Sequence, residues 1–212
     1  PEGDECHGDT ARDTLEQLVT GNEITLVAGG EDTDQFNRLL RYVYSDGLNV
    51  NLALVANGDA IAVQTGHPME RDFVAVGDQS FEAALGMWSL DACGDGNDLG
   101  VEIVDFTYDP SGRDADNLNG EWVALANTSS ESIDLSAWVL RDESSRHRFV
   151  FPDGFALEPG DEVLVRTGCG SDGSLELFWC SDDPVWSNGG DTIILQDSDG
   201  TVVDRDRFPG DF

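Results

Sequence analysis

The sequence predicts an α+β module followed by an all-β one. Three observations carry this. Apolar residues recur at both helical and strand spacing before residue 90. Only short runs of period two occur after residue 100. A stretch rich in Gly and Asp, 91–100, divides the two regimes. With 212 residues, 39% of them hydrophobic, the chain has enough apolar surface to bury a sizeable core.

Thr10-Ala11-Arg12-Asp13 has the form of a capping box. Ala11, Leu15, Leu18 and Val19 follow at helical spacing, and Gly21 supplies a stop, so one amphipathic helix is expected there. Residues 23–28 alternate, with Ile24, Leu26 and Ala28 on one face. Residues 39–44 are rich in aromatic and β-branched side chains and run into an Asp46-Gly47 turn, so two strands are expected. Residues 50–56 predict a short helix ended by Gly58. Residues 69–87 predict a longer one, with Phe73, Val76, Phe81, Ala84, Leu85 and Trp88 along a stripe and a break at Gly77. Beyond residue 100, alternating runs at 101–106, 121–126, 138–141, 148–151, 162–166, 192–195 and 201–203 are separated by Pro152-Asp153-Gly154, Pro159-Gly160-Asp161, Asn188-Gly189-Gly190 and Asp199-Gly200. About seven short strands at such spacing predict a β-sandwich. Trp138 and Trp186 are read as core residues, and Asp197-Ser198-Asp199-Gly200 as a hairpin turn and not a calcium loop.

Forty-three acids stand against 11 basic residues, all Arg, for a formal charge of −32. The acidity is even, 19 acids and 4 Arg in residues 1–98 against 24 and 7 in the remainder. No basic footprint for nucleic acid exists at the level of the whole chain. The pattern suits a saline extracellular setting, where dissolved ions screen self-repulsion. The apolar runs are far shorter than the ~20 residues of a membrane helix. Cys6, Cys93, Cys169 and Cys180 show no zinc-type spacing. Three disulfide pairings are possible, and a division of the chain near residue 98 favours Cys6 with Cys93 and Cys169 with Cys180. An even set implies an oxidising compartment and a secreted protein. His7, His67 and His147 are too dispersed in sequence to define a site.

Asn37-Arg38-Leu39-Leu40-Arg41-Tyr42-Val43-Tyr44-Ser45-Asp46-Gly47, followed by Val50-Asn51, Leu54-Val55 and Gly58, resembles the staphylococcal-nuclease-like (thermonuclease) family over residues 1–90 or so. The resemblance implies a partial OB-fold barrel with helices and calcium-dependent hydrolysis of DNA and RNA. It matches Pro1-Glu2 to the end of the family's D-T-P-E loop, so that the first strands, the metal-binding aspartates and the first of two arginines would lie upstream of Pro1. Two catalytic positions carry over. Arg38 matches the second arginine on the scissile phosphate, and Glu2 matches the glutamate beside the attacking water. These types suit phosphodiester hydrolysis, in which a carboxylate orients or deprotonates water and a guanidinium offsets charge growing on phosphoryl oxygens. Gln35, Phe36 and Gln64 fall where the family has Lys, Tyr and Tyr, so the family's nucleotide contacts at those positions do not carry over.

In the second module, Glu121-Trp122-Val123-Ala124-Leu125-Ala126-Asn127 and Ile133-Asp134-Leu135-Ser136-Ala137-Trp138-Val139-Leu140 resemble the lamin-tail domain. So do Leu157-Glu158-Pro159-Gly160-Asp161 and Val185-Trp186-Ser187-Asn188-Gly189-Gly190-Asp191-Thr192. An immunoglobulin-like sandwich is implied. The expected organisation is a nuclease-like domain at 1–93 without its first strands, a linker at 94–100 and a lamin-tail domain at 101–212. Two functions are expected: a secreted nuclease whose present fragment is inactive, or a non-catalytic extracellular interaction protein with a vestigial OB-fold, its lamin-tail domain meeting a surface partner.

Overall fold

Residues 7–34, 37–63, 66–89, 92, 99–144 and 146–209 are described in the computed structural model. The chain divides into two compact units, Pro1–Gly94 and Asp95–Phe212.

In the first unit, helix α1 (Gly8–Val19) starts two residues before the expected capping box. His7, at φ 65°, makes the turn into the helix and offers no side-chain cap. Thr10 lies inside the first turn, where its carbonyl accepts from Thr14 Oγ1. The His7 ring is drawn off to Asp59 instead, at 2.7 Å. Strands β1 (Ile24–Thr33) and β2 (Leu39–Ser45) form an antiparallel hairpin. The two-residue turn Asp46-Gly47, with both φ values positive, then leads into β3 (Leu48–Asn49), as hairpin geometry requires. Sheet order is β1-β2-β3. Among the described residues this is an open sheet with β1 at its edge, not a closed barrel. Gly29 is required by a close approach, since a Cβ there would lie 2.1 Å from the Tyr42 ring.

Helix α2 (Val50–Ala56) is capped by Asn49, whose side chain accepts from Leu52 N–H. Helix α3 (Glu70–Glu82) runs unbroken through Gly77, contrary to the expected break. Gly77 is buried, and a Cβ would sit 3.4 Å from Ala62 and 3.6 Å from Val55, so its small size serves packing. The helix ends instead at Glu82, and Ala84 at φ 51° reverses the chain into a 3-10 turn, Gly86–Trp88. Val55, Ala62 and Phe73 form the small core of this unit, with Tyr42, Leu52, Met69 and Val76 against it.

The second unit is all β, with ten strands among the described residues. Strands β4 (Val101–Thr107), β5 (Trp122–Asn127), β10 (Glu162–Arg166) and β11 (Glu176–Phe178) make one sheet, in the order β11-β10-β5-β4. Strands β7 (Val139–Arg141), β8 (Arg148–Val150), β12 (Gly190–Gln196) and β13 (Val202–Pro209) make the other, in the order β13-β12-β7-β8. Strands β6 (Ile133–Asp134) and β9 (Ala156–Leu157) pair separately. Three short strands, β6, β9 and β11, escape periodicity because two or three residues show no alternation. One core takes Val123, Leu125 and Val163 from the first sheet and Leu140, Ile193 and Leu195 from the second, with Trp138 and Trp186. A bulge in β4 between Ile103 and Asp105 lets Ile103 N–H donate to Asp204 Oδ2 of β13, at 2.7 Å, tying the two sheets. Cys169 and Cys180 are joined. The other expected pair, Cys6 and Cys93, lies outside the described residues.

Candidate functional site

Arg38 stands where the loop of the β1–β2 hairpin re-enters β2. Asn37, at φ 59°, turns the chain, and Asp34 closes the loop: its Oδ1 accepts Arg38 N–H at 2.8 Å and its Oδ2 accepts Arg38 Nε at 2.6 Å. The guanidinium is anchored at one edge while its side chain stays 72% exposed. Arg41, three residues on, is far less exposed. It donates to Asp32 Oδ1 at 2.6 Å and to the Asp32 carbonyl at 3.0 Å. The hairpin therefore presents one solvated arginine beside one pinned arginine. Glu2, the expected carboxylate partner of Arg38, lies outside the described residues, as do Gln35, Phe36 and Gln64.

The carboxylates nearest Arg38 do not fit a calcium site. Asp34 and Asp32 are engaged by Arg38 and Arg41, and among the described residues no group of three or more His, Cys, Asp or Glu is placed to hold a metal. Below the hairpin, the Tyr42 hydroxyl shares a 2.6 Å hydrogen bond with His67 Nδ1 and accepts Met69 N–H, while His67 meets Phe73 edge-on. Together with the His7–Asp59 contact, this gives two of the three histidines positions as ties between segments distant in sequence.

The second unit holds a set of buried carboxylates whose pairings sequence reasoning missed. Glu121 is 0% exposed, and its carboxylate accepts Val185 N–H at 3.0 Å and Trp186 N–H at 3.3 Å. Burial pushes its pKa above the ordinary value, and the two backbone donors pull it back in part. Asp142, Glu143 and Asp191 are also buried. Glu143 Oε1 accepts Thr192 Oγ1–H at 2.6 Å and Arg207 NH1 at 3.0 Å, while Asp142 Oδ2 lies 2.6 Å from His147 Nδ1. His147, set aside in the sequence as dispersed, is thus in a charged cluster, and its pKa is raised chiefly by the hydrogen bond to Asp142. No local signal in the sequence marked this cluster, because its members come from the segment after β7, from β12 and from β13, which strand pairing brings together. Trp138 and Trp186, 6% and 3% exposed, are core residues as expected. Asp197 Oδ1 accepts Asp199 and Thr201 N–H groups, so 197–200 is a hairpin turn as expected. Among the described residues no helix is long and apolar enough to cross a membrane.

Two family models match the chain. One, Lamin Tail Domain, covers residues 97–208. The other, Staphylococcal nuclease homologue, covers residues 1–90. Both agree with the resemblances carried by the sequence motifs. A comparison with curated proteins found no match.

Proposed function

The chain belongs to the Lamin Tail Domain family, and on that premise we propose that it is part of a secreted, calcium-dependent phosphodiesterase acting on DNA or RNA, its lamin-tail unit an appended module. The match of residues 1–90 to the nuclease homologue supports the reaction class. The single observation that carries the reading to a residue is the solvated guanidinium of Arg38, held in place by Asp34 on a hairpin tip. A planar, always-charged fork in that position suits the equatorial oxygens of a phosphodiester, on which charge grows during attack by water. Glu2 is proposed to orient that water, acting within one hydrogen bond of it.

Calcium supplies Lewis-acid stabilisation in such hydrolysis. Among the described residues no group of three or more His, Cys, Asp or Glu is placed to hold it, so no step is routed through it.

The test is cleavage of plasmid DNA and of RNA by the chain extended with its upstream coding sequence, with calcium and with chelator. Calcium-dependent cleavage that falls about a hundredfold or more in Arg38→Ala, with folding unchanged, is expected. Cleavage indifferent to chelator, or none, overturns it. A second reading, a non-catalytic extracellular interaction protein, is favoured by the formal charge of −32, which repels a polyanion. It predicts that the extended chain cuts neither nucleic acid.

A further inference from the structure

One end of the sandwich in the second unit gathers three buried acids, Asp142, Glu143 and Asp191. The turn 142–147 between β7 and β8 abuts the first residues of β12 and the last of β13. Glu143 N–H reaches Asp191 Oδ1 at 3.4 Å, and the Glu143 carboxylate takes Thr192 and Arg207. Asp191 also accepts Thr192 N–H at 2.8 Å and Ser187 N–H at 3.1 Å, so it fastens the loop 187–190 as well as the turn. Asp142, Glu143 and Asp191 are 5%, 8% and 5% exposed.

The charged groups facing this cluster come from every side. From β7, Arg141 donates to the carbonyls of Asp142 and Ser144, and on β8 Arg148 pairs with it in register. From the turn, His147 lies on Asp142, with Arg146 opposing its positive charge. From β13 comes Arg207. Across the loop, Asp114 accepts from Asn188 at 2.8 Å, and Glu121 holds the N–H groups of Val185 and Trp186.

We propose that this end of the sandwich is a pH-operated clasp, shut while Asp191 is protonated and His147 is an imidazolium, and released once Asp191 has lost its proton and His147 its charge. A neutral Asp191 accepts its backbone donors without adding a third charge to Asp142 and Glu143. Ionised, it sets three buried carboxylates together. Imidazolium at 147 neutralises Asp142, and imidazole does not.

The direction follows from linkage. Burial, then Asp142, then Glu143 push Asp191 up from 3.8 to about 7, and His147 is raised from 6.5. Stabilisation from Asp191 is complete below 3.8 and is lost as pH climbs to about 7. That from His147 is lost as pH passes from 6.5 through its higher folded value. Both therefore loosen the clasp as pH rises. What the release uncovers is backbone of 142–144 and 187–190, so the module would present a different end face in acid and at neutrality.

Amide hydrogen exchange of the whole chain at pH 5 and pH 7.5, with intrinsic rates divided out and residues 163–165 as the internal reference, tests this. Opening of 142–147 and 187–192 is expected to rise by about tenfold or more between the two. Asp191→Asn should reduce that response to the part that His147 supplies. Glu143→Gln keeps an oxygen for Thr192 and Arg207 but removes a neighbouring charge, so it should move the midpoint to lower pH and leave the fold intact even where the first variant does not fold. Carboxyl NMR should find Asp191 titrating well above the usual carboxylate range. An Asp191 that titrates below pH 5, exchange that rises no more than at 163–165, or a midpoint indifferent to Glu143→Gln overturns the proposal.

Discussion

Leu26 of β1 and Leu125 of β5 both sit in an apolar stretch of a strand, yet the first is 59% exposed and the second 0%. The same contrast runs through both units. In the second, β5, β10 and β12 each lie between two paired neighbours, and the face of one sheet closes on the face of the other. In the first, Ile24, Leu26, Val27, Leu39, Leu40 and Leu48 are all exposed, on a three-stranded sheet with β1 at its edge. Apolar alternation states that a strand has something to bury. It does not supply the surface that buries it. A sandwich carries both layers within one stretch of chain, whereas these three strands have helices against part of one side.

The contrast is probed most severely by cutting into the better-buried unit. Leu125→Ala should cost about 3 kcal/mol by removing methyl groups from a packed core, read as a shift of the denaturation transition of residues 99–212 with that of the first unit in place. Glu121→Ala should cost about 2–3 kcal/mol in the same transition by stranding the Val185 and Trp186 N–H groups. Glu121→Gln should cost less than Glu121→Ala, because it keeps one of the two acceptor oxygens. Opening Cys169–Cys180 with reductant should cost about 2 kcal/mol or more in the chain-entropy model, again confined to the second unit by its near-ultraviolet signal. Raising sodium chloride from about 0.05 to about 1 M should raise both thermal transitions by about 5 °C, because a charge of −32 spread over both units is screened alike. A rise in one alone would separate them electrostatically. The smallest effect is expected at Leu26→Ser, within about 0.5 kcal/mol, accompanied by weaker binding of an apolar dye. A loss as large as that of Leu125→Ala would mean that the β1 face is covered in solution.

Much of the fold is legible in residue types. Helix α2, β2, the Asp46-Gly47 turn and most of the longer strands of the sandwich follow from periodicity and turn chemistry within a residue or three, whereas β1 and β13 run on to Thr33 and Pro209, well past the ends expected at 28 and 203. The misreadings share one cause. Gly77 reads as a helix breaker, but α2 and α3 approach closely there, and their contact outweighs the local cost of glycine. Thr10 reads as a cap, but His7 bonds Asp59, 52 residues away, and starts the helix earlier. Arg38 was legible because its motif is contiguous. The cluster of Asp142, Glu143, His147, Asp191 and Arg207 was not, since its members are brought together by strand pairing between segments far apart in the chain.

Residue order alone establishes the division into two modules, their classes and the families they match, because periodicity, turn residues and contiguous motifs are local properties of the chain. Which acids are buried, which apolar faces remain uncovered and which groups stand beside the titrating Asp191 are settled by tertiary packing. Solvent access and Coulomb energy depend on distances between residues remote in sequence, and those distances exist only once the sheets have closed.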